Sequence, residues 1–336
     1  MQLNRFALLL IVGSACKNKP LDLIDSGVDS ADPVEEADAD TDSDTDADTD
    51  TDTEIGIGSM VQVTAGWSHS CAIDDDGKAH CWGLDEDGQS SPAKKTFLHL
   101  TAGSTHTCGL RPTGEVKCWT DRVIGLDAVP EGTYRSISAG SEHTCGIDAF
   151  GAIQCWGSNT YGQSTPPEGS FSKVFSGAFH SCALDSSGNV TCWGPESPDG
   201  HTSGPGYTLS TMAAGTGHNC GLDSGGLAYC WGNNDYGQST PPTEAFAKIT
   251  VGSHHSCALT SDGVATCWGL NDAYQSMVPA GRYSDIAAGD KHTCAINLSA
   301  ALVCWGSDVH GQSNPPASGS GETVDTGTAD TGFSSP

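Results

Sequence analysis

"HSCALDSSGNVTCWG", residues 180–194, places two cysteines ten positions apart, a histidine two before the first and a tryptophan directly after the second. The spacing recurs along the chain. The first cysteine of each pair falls at Cys71, Cys108, Cys145, Cys182, Cys220, Cys257 and Cys294, in steps of 37 residues with one step of 38. Its partner follows ten later, at Cys81, Cys118, Cys155, Cys192, Cys230, Cys267 and Cys304. The histidines are His69, His106, His143, His180, His218, His255 and His292, and the tryptophans Trp82, Trp119, Trp156, Trp193, Trp231, Trp268 and Trp305. A fixed period of this length means one supersecondary unit used seven times.

Between the cysteines lies a turn signal, "DSSGN" here and "DDDGK" or "RPTGE" elsewhere, with Gly six residues after the first cysteine in six of seven units. If Cys182 opposes Cys192, then Leu184 opposes Val190 and Asp185 opposes Asn189. That leaves a three-residue hairpin loop ending on Gly188 in the left-handed region. Unit seven has Ala300 in the glycine slot and is expected to turn by a looser geometry. Opposed residues of a non-hydrogen-bonded antiparallel pair lie within disulfide reach. Alternation puts His180 and Cys182 on one face and Ala183 and Trp193 on the other. The residue after the first cysteine is always Ala or Gly, leaving room for an indole. Both faces want burial, and one unit cannot supply it alone. Blades around an axis solve this, whereas an open solenoid needs distinct end repeats that this chain lacks. The expected fold is all-β: a seven-bladed β-propeller with one intra-blade disulfide hairpin per repeat.

These residues resemble the regulator of chromosome condensation repeat family, in a cysteine-rich secreted bacterial form. "AGSEHTCGIDAFGAIQCWGSNTYGQSTPP", residues 139–167, and its six relatives carry the likeness over roughly residues 60–316. The resemblance implies a seven-bladed propeller and leaves function open, since one fold hosts many functions. Nuclear members act as exchange factors on a small GTPase, a partner that an exported, acidic, disulfide-bonded protein does not meet. The plant ultraviolet photoreceptor of this fold uses repeated Gly-Trp-Arg-His-Thr motifs. Here only "GWSHS" around Trp67 comes near, without the arginine. A secreted bacterial β-lactamase inhibitor of similar shape binds through loops on one face, which implies a mode of binding and not a target.

The chain opens "MQLNRFALLLIVGSAC", with Arg5, an apolar run from Phe6 to Val12 and small residues before Cys16. Residues 1–15 read as a signal peptide. Its end resembles a bacterial lipobox, with Cys16, the odd cysteine out, as the lipidated residue. Gly13 stands where that pattern has an aliphatic residue, and cleavage after Ala15 without lipid is the alternative. Residues 16–58 are expected to be a disordered acidic tether, with fifteen acidic residues and no basic one between 22 and 54. Its alternating Asp lacks the glycine-turned loop of a calcium site. The propeller spans 59–316, and 317–336 form a flexible acidic tail. Of the net charge of −28, the propeller carries 11 basic against 24 acidic residues. Nucleic acid is thereby excluded as a partner, and membrane association is assigned to the lipid anchor alone. The expected location is the cell envelope, as an outer-membrane lipoprotein, or the exterior if Cys16 carries no lipid.

His-x-Cys with an opposing Cys offers three zinc-type ligands per unit, but no fourth recurs, and paired cysteines in an oxidising compartment read as disulfides. No metal or cofactor is expected, and the histidines are assigned to holding each blade together. A catalytic site must break the repeat symmetry. The unique ionisable residues His201, His254 and Arg122 read as exposed loop residues, and no nucleophile or phosphate motif appears.

The loop before each histidine and the loop after "CWG" share one end of the propeller, and the hairpins occupy the other. The hairpin turns are monotonous. The residue pairs before the histidines are diverse, among them Trp67-Ser68, Ser141-Glu142, Ala178-Phe179, Ser253-His254 and Asp290-Lys291. Units two and four also break the "NxxGQ" pattern after "CWG" with "TDRVIGLDAVP" and "GPESPDGHTSGP". Repeats alike in the core and unlike on one rim present a chosen surface. The candidate binding residues are Trp67, Glu142, Phe179, His254, Asp290, Lys291 and Arg122, with Tyr161, Tyr236 and Tyr274 at one repeat position on the same end. "SMVQVT" is expected to pair antiparallel with the first histidine strand, bringing the tether in at the hairpin end. A non-catalytic, monomeric scaffold binding an envelope or extracellular protein is expected. A polymer hydrolase or lyase at the central funnel, and a purely structural component, are the alternatives.

Overall fold

The computed structural model describes residues 58–120, 125–126, 128–196 and 198–317. Cys16, Arg122, the signal and tether segments and the tail from 318 lie outside them. Each unit forms a three-stranded antiparallel sheet in sequence order. In blade three, Tyr134–Ala139 is the inner strand, His143–Asp148 the middle and Ile153–Gly157 the outer. Six further sheets repeat this, from Met60–Ala65, His69–Asp74 and Ala79–Gly83 in blade one to Tyr283–Ala288, His292–Asn297 and Leu302–Gly306 in blade seven. Unit two is a blade like the others, with strands His99–Ala102, Thr107–Leu110 and Val116–Trp119.

The cysteines of each pair are direct cross-strand partners in every blade. All seven disulfides are formed, at Cα–Cα separations of 4.0–4.1 Å. In the turn of blade four, Asp185 N–H donates to Asn189 O (3.1 Å), and Asp185 Oδ1 accepts the amides of Ser187 and Asn189. Gly188 has φ +83°.

The expectation of a looser turn in unit seven is corrected. Asn297 N–H donates to Ala301 O (2.9 Å), and Asn297 Oδ1 accepts the amides of Ser299 and Ala301, so the turn is the same. Ala300 is forced to φ +60°. The Asn297 bonds offset the steric cost of a Cβ there. Ala300→Gly is therefore expected to stabilise the protein by about 0.5–1 kcal/mol, the relief exceeding the added unfolded-state entropy. An unchanged or lowered denaturant midpoint would refute this.

The room beside the residue after the first cysteine is filled from within the blade. A Cβ on Gly109 or Gly146 would strike the ring of Phe97 or Tyr134. Those rings pack on Trp119 and Trp156 at centroid distances of 5.5 and 5.7 Å. The hydrophobic interior is correspondingly divided into seven small cores between neighbouring blades. Cys145, Ile147 and Phe171 with Val174 and Ala183 form one, and Met60, Val63, Ala72 and Trp82 with Ala287 and Ile296 close blade seven on blade one. Burying each such aliphatic side chain stabilises by about 1.5–3 kcal/mol.

The repeated histidines do not hold each blade to itself, as expected; they hold it to the next. His69 Nε2 lies 2.7 Å from Thr107 Oγ1, His143 Nε2 2.7 Å from Ser181 Oγ, and His180 Nε2 2.8 Å from Asn219 Oδ1. His292 reaches Ser70 at 2.8 Å and completes the circle. The Thr107 hydroxyl donates to Gln89 O, and Asn219 Nδ2 donates to His201 O, so the imidazoles of His69 and His180 are assigned as Nε2–H tautomers that donate. Nδ1 of all seven is buried without a donor. Beside this circle runs one of glycines: a Cβ on Gly103 would meet Gly140 O at 2.4 Å, and one on Gly289 would meet Gly66 O at 2.5 Å. Each inner strand is a sheet edge with amides facing the neighbouring blade. Side chains satisfy several of them, as Thr101 Oγ1 accepts Ala139 N–H (2.8 Å) and Asp285 Oδ2 accepts Val63 N–H (2.9 Å).

Candidate functional site

The tight Gly-x-x-His connection, closed by Gly140 N–H donating to His143 O (2.7 Å), lifts two side chains per blade onto one end of the molecule. The first of the two borders a shallow axial depression, where Trp67, Ser104, Ser141, Ala178, Thr216, Ser253 and Asp290 meet. The second lies farther out. Between blades one and four this end opens into a groove of about 560 Å³. Three of the sequence-selected residues, Trp67, Glu142 and Phe179, line it together. Trp67 is 44% exposed and Phe179 38%, and Tyr161 stands edge-on to Phe179 at 5.7 Å. Leu84, Glu86 and Asp87, from the loop after the first "CWG", complete its wall. The groove thus joins aromatic faces to carboxylates, a lining suited to a polar macromolecular surface that carries apolar or cationic side chains.

The RCC1 (regulator of chromosome condensation) repeat profile matches residues 60–89, 134–163, 171–196, 210–238, 246–275 and 283–312. The chain belongs to the RCC1 repeat family. A comparison with curated proteins gives no match. Among solved structures, the CRINKLY WD40 ectodomain of the Arabidopsis thaliana receptor kinase ACR4 is 26% identical, with a TM-score of 0.62 over 74% of this chain and 98% of that one. The ectodomain of the Physcomitrella patens receptor kinase CR4 is 27% identical, with a TM-score of 0.65 over 74% of each. Prp20p from Saccharomyces cerevisiae, 16% identical with a TM-score of 0.62 over 70% of this chain and 82% of that one, shares the fold.

The second repeat, whose loop after "CW" departs from "NxxGQ", lies outside the matched residues; His106 still reaches Thr144 of the next blade (2.8 Å), but Trp156 Nε1 is buried without the partner that its counterparts find. In the regular repeats the Gln of "NxxGQ" is buried and ties two blades. Gln163 O accepts Trp193 Nε1–H of the next blade (2.8 Å), and Gln163 Oε1 accepts Tyr161 N–H. His201 takes this slot in unit four: it is 7% exposed, its carbonyl accepts Trp231 Nε1–H, and its ring lies 4.6 Å from that of His180. The reading of His201 as an exposed loop residue is thereby corrected. The "GH" in "SPDGHTSG", and the "GL" that puts buried Leu126 in the same slot of unit two, were the sequence signals that identify it.

The other described rim candidates, His254, Asp290 and Lys291, do not share the groove. His254 packs edge-on to Tyr236 at 5.5 Å on blade six. Lys291 Nζ donates to Asp272 Oδ2 (2.7 Å), an exposed pair in which each partner favours the other's charged form. Asp290 shares only the axial depression with Trp67. Tyr274 is not at the repeat position of Tyr161 and Tyr236: it occupies the glycine slot one residue later, at φ +65° and 69% exposed. The hairpin end is also less uniform than its turns suggest, since it exposes Phe150 and Leu298. Among the described residues no group of three or more His, Cys, Asp or Glu is placed to hold a metal ion, and no helix is long and apolar enough to cross a membrane. The seven disulfides point to folding in an oxidising compartment.

Proposed function

We propose that this protein is a non-catalytic binding propeller of the cell envelope, tethered through lipid on Cys16, that captures a protein partner in the groove bounded by Trp67, Glu142 and Phe179. The convergence of those three residues, from blades one, three and four, is the observation that carries the reading. Trp67, at the first of the two variable positions before the histidine, and Glu142 and Phe179, at the second, meet there on a wall of otherwise repeated structure. The likeness to two receptor-kinase ectodomains at 26–27% identity supports an extracellular setting. Ser59 O accepts Asp75 N–H at the hairpin end, so the chain enters the propeller opposite the groove. That polarity favours a partner approaching from outside the membrane.

The test is partner capture by crosslinking on intact cells, comparing Trp67→Ala with Phe179→Ala in one variant against Asp76→Ala with Asn189→Ala in the hairpins. Aromatic anchors of this kind each contribute about 2 kcal/mol or more at an interface, so the rim variant is expected to lose at least tenfold in capture at an unchanged melting temperature. Equal capture by both variants would remove the groove as the binding face.

A further inference from the structure

The inner strands enclose an axial channel of about 630 Å³ that opens at the hairpin end, away from the groove. By alternation, the fourth residue before each ring glycine faces this channel. Gln62, His99, Ser136, Lys173, Thr211 and Lys248 line it, with Arg135 beside them on blade three, while Asp285 at the seventh such position is buried. In a chain of net charge −28, three of the propeller's basic side chains and a histidine therefore meet around one axis.

Their partners decide how much of that charge is free. Lys248 pairs with Asp285, whose other oxygen is taken by Val63 N–H. That pair cancels. His99 Nδ1 is held 2.6 Å from Gln62 Nε2, an amide donor, so His99 is neutral and its proton sits on Nε2. Nε2–H has no protein partner among the described residues. Burial and the Lys248 charge push His99 down to about 4, and desolvation pushes Lys248 down to about 8. Lys173 Nζ donates only to Ser210 O (2.8 Å), and Arg135 only to the carbonyls of Asp148 and Phe171. Neither meets a carboxylate. By contrast Lys78, Arg111, Arg282 and Lys291, out on the surface, each pair with an acid.

We propose that the hairpin end of the axial channel binds a small phosphate dianion, held by Lys173 and Arg135 and lined by Lys248 and the Nε2–H of His99. Two uncompensated cations match a dianion, whereas a monocarboxylate leaves one uncovered. Low-dielectric walls focus the positive potential of the uncompensated cations, and the acidic exterior repels anions from the rest of the surface. Arginine with lysine is the donor set suited to phosphate oxygens.

The experiment is titration of the intact, disulfide-bonded protein with inorganic phosphate, then with glycerol 3-phosphate, at constant ionic strength in chloride. Arg135→Gln with Lys173→Gln is compared with Arg282→Gln with Lys291→Gln. Saturable binding that weakens at least tenfold in the first variant and holds in the second is expected. Backbone amide shifts in the unaltered protein supply a second readout: those of Ser136 and Thr211 should move on phosphate addition while those of Trp67 and Phe179 stay still. Equal affinity in both variants, no saturable binding, or binding only to phosphatidic acid vesicles would overturn the site.

Discussion

Lowering the pH from 7 to 5 is expected to destabilise this propeller by on the order of 10 kcal/mol, enough to unfold it. The seven ring histidines are wholly buried. Desolvation, with the charge of neighbouring histidines added for most of them, pushes their pKa from 6.5 down to about 3 for His69, His106, His143, His218 and His255 and to about 4 for His180 and His292. The unfolded chain therefore binds protons that the folded one refuses. Stability is full above the unfolded value near 6.5, falls as the pH drops below it, and stops falling only near the folded values of 3–4. At pH 5 linkage gives about 2 kcal/mol per histidine. Seven such contributions rival the whole stability of an ordinary domain, about 5–15 kcal/mol. Asp74, Asp185, Asp262 and Asp272, whose pKa values are lowered, add to acid lability only below about pH 4. The window between 6.5 and 4 belongs to the histidines. Melting temperature against pH, with disulfides intact, checks this, and a flat profile from pH 7 to 5 would contradict it.

Reduction is expected to be equally severe. Each disulfide joins cysteines ten apart, and closing an eleven-residue loop is worth roughly 3 kcal/mol in the chain-entropy model. The hairpin already restrains the unfolded chain, so about 2 kcal/mol per bridge is the working figure, and seven together exceed what the small inter-blade cores can lose. Strong reductant at neutral pH is expected to lower the melting temperature by more than 20 °C or abolish the transition, taking a few degrees per kcal/mol for a domain of this size. Replacing Cys145 and Cys155 together by Ala should cost only one bridge. Thiol counting on unreduced, denatured protein should find none of the fourteen reactive. Bound zinc with fourteen free thiols would overturn the pairing.

What the sequence revealed divides along a physical line. Contacts within a unit were legible, because strand alternation and a ten-residue cysteine spacing leave one register: Cys182 opposite Cys192, Leu184 opposite Val190. Contacts between units were not, because they depend on the rotation from blade to blade. The His69–Thr107 bond spans 38 residues, one more than the usual period, and nothing in the repeat says which neighbour the imidazole reaches. The groove was half legible. Repeat position placed Trp67, Glu142 and Phe179 on the right end, but only the ring's curvature decides that they converge while His254 and Lys291 fall elsewhere. The channel's charges did have a signal. His99, Lys173, Lys248 and Asp285 share one repeat position that otherwise holds Gln, Ser or Thr.

The junction between blades seven and one uses the bonds found at the other junctions: the His292–Ser70 contact, the Gly289–Gly66 approach, and Gln312 O accepting Trp82 Nε1–H (2.9 Å). Among the described residues no strand is exchanged between the first and last units, since every blade takes all three strands from its own unit. The ring therefore has no seam and no first blade. The order in which ribosomes deliver the units is immaterial to the finished circle, and a gene opened in any connection between blades, with its old ends joined, encodes the same closed object. Exchanging whole units at constant number thus trades rim side chains without reopening the question of how the circle closes.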